Sequence, residues 1–148
     1  VTSTWTTAQR GLAVKSAAMT PGQFLIVECA VALPEIDLPY AQASRTVDGW
    51  YCEVVSPAFL PAHVWPIDEL VLRRMGWSPP DRAQTDDNWS AELPLNADVA
   101  SRLLDGLRYG RCCPDRALVR WSVGTFPSGP DGGLPLPGDL PHHLDLAA

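Results

Sequence analysis

The sequence predicts an α+β fold in which an antiparallel sheet of three to five strands packs against flanking helices. Three observations support this prediction. Apolar residues recur at helical spacing in residues 4–19, 66–75 and 96–108. Residues 23–31, 40–47, 50–56 and 117–123 have strand patterns, which gives the order α-β-β-β-α-α-β. The 15 prolines among 148 residues exclude a simple helical bundle, because proline breaks helix interiors.

The first helix and the first strand follow from local signals. Thr4 is expected to cap the helix, with Trp5, Ala8 and Leu12 on its buried face. The sequence Thr-Pro-Gly at residues 20–22 ends the helix and turns the chain. In the strand at residues 23–31, successive side chains then lie on opposite faces of the sheet.

A hairpin is predicted between the second and third strands. Asp48-Gly49 is a strong signal for a two-residue turn, which would pair Val47 with Trp50. One face of this hairpin is small and apolar, as expected beneath packed helices. We expect the other face to be solvated or to meet a partner; it carries Tyr40, Gln42, Ser44, Tyr51 and Glu53.

Two more helices and a fourth strand are predicted. Pro66 and Asp68 favour the start of the second helix, and Gly76 its end. The buried stripe of this helix is predicted as Ile67, Leu70, Val71 and Met75. Residues 77–95 are expected to be irregular, and Asn96 is expected to cap the third helix. Its inward residues are predicted as Val99, Ala100, Leu103, Leu104 and Leu107.

The end of the chain differs in composition from the rest. Residues 127–148 contain five prolines and four glycines and show no hydrophobic period. We therefore predict a single domain over residues 1–126, followed by a flexible C-terminal tail over residues 127–148.

Charge and hydropathy limit the partners and the compartment. The net charge is −6, whereas a nucleic-acid-binding protein needs a basic surface. The longest apolar run, residues 24–27, is far shorter than the roughly 18 residues of a membrane helix. The first residues lack a signal-peptide pattern. We expect a cytoplasmic protein that binds no nucleic acid, does not insert into a membrane and has free cysteines.

No catalytic motif is present, and neither a metal nor a cofactor is expected. The chain lacks the CxxC and HExxH spacings of metal sites and the GxSxG and GxGxxG motifs. We interpret Cys112-Cys113 and His142-His143 as unrelated pairs rather than a metal cluster. One alternative is an enzymatic or small-ligand site on the polar sheet face, around Glu28, Gln42 and Glu53.

Four of the six tryptophans lie around proline-rich loops: Trp50, Trp65, Trp77 and Trp89. One interpretation is that these indoles anchor the loops to the core. The other is that some of them line an apolar groove for a peptide, since aromatic residues dominate interface energetics. The sequence leaves both interpretations open.

A series of short motifs carries a family resemblance. It consists of Tyr40-Ala41-Gln42, residues 53–56 (EVVS), residues 75–80 (MGWSPP) and Asn88-Trp89. In this order, over roughly residues 5–123, the series resembles the actinobacterial TY-Chap domains, which are related to YbjN and to type III secretion chaperones.

The resemblance implies a type III secretion chaperone-like fold and non-enzymatic binding of a peptide or protein, with an association with secretion. It also implies homodimers, because type III chaperones act as dimers. A structural domain of a larger secretion-associated assembly is a further alternative. Together with the tryptophan pattern, the resemblance gives the candidate binding residues Tyr40, Gln42, Glu53, Trp65, Trp77 and Trp89.

Overall fold

A computed structural model describes residues 2–30, 37–81 and 87–126. The elements are β1 (Thr2–Ser3), α1 (Trp5–Ala17), β2 (Gln23–Ala30), β3 (Tyr40–Arg45), β4 (Gly49–Val54), α2 (Glu69–Arg74), β5 (Trp89–Pro94), α3 (Val99–Asp105) and β6 (Leu118–Thr125). The strands form one antiparallel sheet in the order β1-β6-β2-β3-β4-β5. A π-helical turn at Gly106–Gly110 follows α3.

The predicted α+β class is confirmed, because the structure is an antiparallel sheet with flanking helices. The predicted element order lacked two strands, the two-residue β1 and the six-residue β5. β5 lies within residues 77–95, which were expected to be irregular. Its alternation of Trp89, Ala91 and Leu93 with polar residues is that of a strand, but Pro94 obscures it. Proline is tolerated there because β5 is at the edge of the sheet.

The predicted register of the β3–β4 hairpin is wrong by two residues. Trp50 pairs with Arg45 rather than with Val47. Because side chains alternate with a period of two, this shift leaves every side chain on its predicted face.

The position of Gly49 explains the shifted register. The Thr46 N–H donates to the Gly49 carbonyl at 2.9 Å, so the turn is centred on residues 47–48 and Gly49 already belongs to β4. A Cβ atom on Gly49 would lie 2.1 Å from the Leu93 carbonyl oxygen of β5. Glycine is therefore needed at this position for the close approach of β5, not for the turn.

The first helix agrees with its prediction. The Thr4 side chain accepts a hydrogen bond from the Thr7 N–H, as an N-cap residue does. The predicted inward residues are buried: Trp5, Ala8 and Leu12.

The second helix is shorter than predicted and faces a different way. Asp68 caps it, so Pro66 lies outside. Leu70, predicted to be buried, is 57% exposed, whereas Leu72 is fully buried. Leu72 packs against Gly110 of the π-helical turn, where a Cβ atom would lie 2.3 Å from the leucine side chain. This contact fixes the rotation of the helix.

The third helix begins later than predicted, with Asp98 rather than Asn96 as its cap. Its predicted inward residues are all buried. The helix passes into the π-helical turn, and the last strand extends to Thr125 instead of ending at residue 123.

The two faces of the sheet differ in chemistry. The face toward the helices carries the apolar core, to which Leu25, Ala43 and Cys52 belong. On the opposite face Gln42, Ser44 and Glu53 are also buried. The interpretation that this polar face is exposed to solvent is therefore wrong at these residues.

Candidate functional site

A buried hydrogen-bond network lies on the polar face, centred on Glu53. Its Oε2 atom accepts hydrogen bonds from Gln42 Nε2 at 2.7 Å and from Asn88 Nδ2 at 3.3 Å. The Asn88 Oδ1 atom accepts from the Ser56 N–H at 2.9 Å. The network thus joins β3, the end of β4 and the start of β5, and supplies the buried carboxylate with donors.

Two tyrosines lie beside this network. Burial raises the pKa of the Tyr40 hydroxyl, and the charge of Glu53 adds to that effect. The pKa of Tyr51 is raised for the same two reasons. Both phenols therefore stay protonated at neutral pH and act as hydrogen-bonding groups rather than as nucleophiles.

The residues proposed for the alternative enzymatic or small-ligand site have separate partners. Glu28 forms an ion pair with Arg120, its neighbour across β2 and β6. The strand β3 lies between Glu28 and Glu53, and Gln42 already donates to Glu53. None of these three residues lines the two cavities beside Trp89 and beside α3.

The chain after α2 makes a turn that positions Trp77. Gly76 has a φ of +90°, its N–H donates to the Arg73 carbonyl, and the Trp77 N–H donates to the Leu72 carbonyl. This is a Schellman motif, in which glycine takes the left-handed position. The indole of Trp77 is buried, with the Arg102 guanidinium 6.0 Å from its ring centre.

The next residues pair with the outer edge of β5. Ser78 and Ser90 exchange two backbone hydrogen bonds, of 2.8 and 3.0 Å. At the other end of β5, Pro94 has no N–H and its carbonyl accepts from the Ala97 N–H at 3.0 Å. Among the described residues of β5, only Glu92 still has backbone N–H and C=O groups available on that outer edge. β5 is therefore a poor template for an added strand.

Trp65 anchors the loop between β4 and α2. Its Nε1 atom donates to the Arg111 carbonyl at 2.6 Å. The fully buried Arg111 guanidinium donates back to the carbonyls of Leu60 and Trp65, at 2.8 and 3.0 Å. Burial lowers the pKa of Arg111 to about 10. Arg111 was not among the predicted site residues, because no local sequence pattern marks an arginine that binds distant carbonyls.

An open cavity of about 260 Å³ lies where three of the four motif segments meet. Trp89 forms part of its wall, and the Arg73 guanidinium lies 5.7 Å from the centre of that indole ring. A second cavity, of about 370 Å³, lies between the end of β5 and α3. The first cavity is lined by Ser56, Pro57, Ala58, Glu69, Arg73, Pro79, Pro80, Asp81, Asp87 and Trp89.

The six candidate binding residues thus do not form a single site. Tyr40, Gln42 and Glu53 lie together at the buried network, Trp65 and Trp77 hold separate loops, and Trp89 lines the first cavity. All six are at most 9% exposed. The charged residues of the cavity were missed, although the Pro79-Pro80 pair and the acidic residues before Trp89 mark its position in the sequence.

In the described part of the chain, no three His, Cys, Asp or Glu side chains are grouped so that they could hold a metal ion. None of its helices has the length and apolar character needed to cross a bilayer. All four cysteines are free, and Cys112 is the exposed one.

A comparison with protein families gives a match over residues 1–114. The matching model is TY-Chap3, described as "T3SS (YopN, CesT) and YbjN peptide-binding chaperone 3". The match includes every element from β1 to the π-helical turn, and β6 lies beyond it. No curated protein and no solved structure matches the chain.

Proposed function

Because the chain belongs to the TY-Chap3 family of peptide-binding chaperones, we propose that it binds an extended segment of a partner protein and catalyses no reaction. The family model is described as a peptide-binding chaperone, and the predicted resemblance to TY-Chap domains is confirmed. The actinobacterial origin stays a prediction. The finer elements of the proposal are an association with secretion, a cytoplasmic location and a homodimer.

The observation that carries the proposal is the meeting of three of the four family motifs at one cavity. Ser56 ends one motif, Pro79 and Pro80 end a second, and Trp89 ends a third, and all four residues line the same 260 Å³ space. A concave site with an aromatic wall and a few polar groups is typical of ligand binding. The blocked edge of β5 favours this cavity over addition of a strand at that edge of the sheet.

The buried candidate residues have a supporting role in this proposal. The network of Gln42, Glu53 and Asn88 fixes the start of β5, where Trp89 follows directly. We propose Trp89 as the contact residue among the six candidates, with the others positioning the loops around it. We also propose residues 1–126 as the domain; residues 127–148 lie outside the described part of the chain.

Selection from a displayed random peptide library on the immobilised full chain tests the function. Selected peptides would then be synthesised with a fluorescent label and titrated by anisotropy. Ala58→Phe fills the cavity from an exposed position, and Ala62→Phe is a matched control at an exposed position of the same loop that lines neither of the two cavities. We expect Ala58→Phe to weaken binding by at least about tenfold and Ala62→Phe to leave it unchanged.

Three results would contradict the proposal. Failure to enrich any peptide under several conditions would overturn peptide binding. If Ala58→Phe, Ala62→Phe and the unchanged chain bind with equal affinity, the peptide does not bind in the cavity. Mass spectrometry that finds the bound peptide cleaved or modified would overturn the non-enzymatic role. Light scattering at several concentrations tests the homodimer, and affinity capture with mass spectrometry tests the association with secretion.

A further inference from the structure

One edge of the sheet is only partly covered. The strand β6 lies between β2 and β1, and β1 pairs with it only opposite Val119 and Arg120. Since β6 continues to Thr125, its second half extends beyond β1. Among the described residues, no other strand pairs with β6 on that side. The end of β6 around Thr125 is therefore an edge without a neighbouring strand.

The direction of the backbone groups at this edge follows from the register of β2. The Cys29 N–H donates to the Pro39 carbonyl on the β3 side, so the even-numbered residues of β2 face β6. They pair with the even-numbered residues of β6, and the odd-numbered residues of β6 therefore face outward. Val123 and Thr125 are two such residues. No backbone group among the described residues binds their N–H and C=O groups.

The open part of β6 has none of the features that protect the edge strands of monomeric proteins. Charged side chains, prolines and bulges are the usual protection. Residues 121–126 (WSVGTF) contain neither a charge nor a proline, and the pairing of β6 with β2 runs without a bulge. The opposite edge differs, because Ser78 and Pro94 block β5. The sheet thus has one protected edge and one edge to which a strand can be added.

This open segment is complementary to a second copy of itself. When two β6 strands pair antiparallel about a two-fold axis at Gly124, Val123 of each copy lies opposite Thr125 of the other. Because residues 123 and 125 face outward, each such pair exchanges two hydrogen bonds. All outward N–H and C=O groups of these two residues then have partners. Valine and threonine are β-branched, and such cross-strand pairs pack well.

The distribution of charge also favours a second copy as the occupant. A two-fold axis brings identical surfaces together, so a charged edge would repel its own copy. The chain has a net charge of −6, yet residues 121–126 carry no charge. The preceding residue, Arg120, forms an ion pair with Glu28 of β2. The open edge is therefore electrostatically neutral toward itself.

An aromatic pair lies beside the same axis. The ring centres of Phe24 and Phe126 are 4.7 Å apart, and both residues are half-buried. The Phe24 ring covers Gly124, since a Cβ atom at residue 124 would lie 2.5 Å from its Cζ atom. In the symmetric arrangement the aromatic pairs of the two copies approach each other near Gly124. Burial of apolar surface then adds to the hydrogen bonds of the edge.

We propose that a second copy of the chain pairs with β6 about a two-fold axis at Gly124, so that the two sheets become one continuous sheet. The inference rests on the homodimer of the proposed function and names the surface that forms it. Because β1 limits the open edge to a short segment, the edge suits a partner with an open segment of the same length. Trp89 and its cavity lie at the opposite edge of each sheet, so they stay free for the peptide.

Two substitutions of Thr125 test the edge hydrogen bonds in the full chain. Thr125→Pro removes the outward N–H and leaves the pairing with β2 intact, because proline is tolerated at the edge of a sheet. Thr125→Val keeps the N–H and nearly the same volume, and it is the matched control. In analytical ultracentrifugation we expect Thr125→Pro to raise the dissociation constant of the dimer at least about tenfold and Thr125→Val to change it less than about twofold.

A second pair of variants keeps every backbone group and decides the question if Thr125→Pro fails to fold. Thr125 is exposed, so Thr125→Glu places an acidic charge near the axis without a change in the core. It should raise the dissociation constant at least about threefold at low ionic strength, because the two copies then repel each other. Thr125→Gln is the neutral control and should leave the constant unchanged. Urea unfolding verifies that each variant is folded.

Hydrogen exchange locates the interface within the chain. The N–H groups of Ser122 and Gly124 face β2 and should exchange slowly at every protein concentration. Those of Val123 and Thr125 should exchange slowly where the chain is dimeric and at least about tenfold faster after dilution to the monomer.

The outcomes separate this inference from the proposed function. A chain that stays monomeric at all concentrations overturns the inference and the homodimer, but not peptide binding, which the displayed library tests. A dimer with the same dissociation constant in all variants overturns the β6 interface alone. Slow exchange of Val123 and Thr125 in the dilute monomer would show that another part of the chain covers the edge. Slow exchange only with a selected peptide would assign the edge to the peptide. Either result overturns the inference.

Discussion

Replacement of Glu53 by alanine tests the buried network most directly. The change removes the acceptor of two donors, Gln42 Nε2 and Asn88 Nδ2, in residues that are 0% and 1% exposed. A buried donor left without a partner costs about 1–3 kcal/mol, so the two together cost roughly 2–6 kcal/mol. The desolvation cost of the carboxylate disappears at the same time, which places the expected loss in the lower part of that range.

Urea unfolding followed by circular dichroism at pH 7 measures this loss. The matched control is Glu92→Ala, which removes an exposed glutamate from the adjacent strand and should change the free energy of unfolding by less than about 0.5 kcal/mol. If Glu53→Ala unfolds the chain completely, Glu53→Gln keeps one oxygen acceptor and should lose about 1–3 kcal/mol. Equal losses for Glu53→Ala and Glu92→Ala would refute the reasoning, because the two amides would then have found other partners.

The remaining predictions concern strand packing, pH dependence and the C-terminal residues. Gly49→Ala should destabilise the chain by about 3 kcal/mol in urea, because its Cβ would meet the Leu93 carbonyl, and an unchanged midpoint would show that β5 can move away. Burial raises the pKa of Cys52 from 9.0 to about 12, so the unfolded state loses this proton first and stability falls as the pH rises from 9 toward 12. Between pH 7.5 and 10.5, the free energy of unfolding should therefore fall by roughly 2 kcal/mol more in the unchanged chain than in Cys52→Ala. Parallel pH profiles of the two proteins would contradict the assignment. Deletion of residues 127–148 should leave the melting temperature nearly unchanged, and a loss of several degrees would show that this segment packs on the domain.

Local sequence patterns were sufficient to predict most elements and the sheet face on which each side chain of the β3–β4 hairpin lies. The cap at Thr4, the Schellman glycine at 76 and the inward residues of α3 are signals that neighbouring residues carry in full. The buried face of α2 could not be predicted from such local signals. Leu72 and Leu70 are equally apolar, and the choice between them depends on the space that Gly110 leaves, 38 residues beyond Leu72.

The candidate site shows the same division between local and distant information. The motifs pointed to Trp89 and to the residues of the Glu53 network. They did not show that the network is buried, because its donor Asn88 lies 35 residues from Glu53 in the sequence. Nor did they show that Glu69 and Arg73 would lie beside Trp89. Their place in the cavity depends on the packing of α2 against the rest of the chain.

The sequence by itself determined the α+β class, the family and the alternation of side chains across the sheet, because periodicity, caps and short motifs are local properties. Only the tertiary structure decided the hairpin register, the burial of the polar face and the position of the cavity. Gly49 illustrates the reason: beside Asp48 it has the local signature of a turn, yet the backbone of β5, more than 40 residues away, requires it within a strand. Contacts between distant segments carry free energies as large as local preferences, and the sequence does not state which segments will meet.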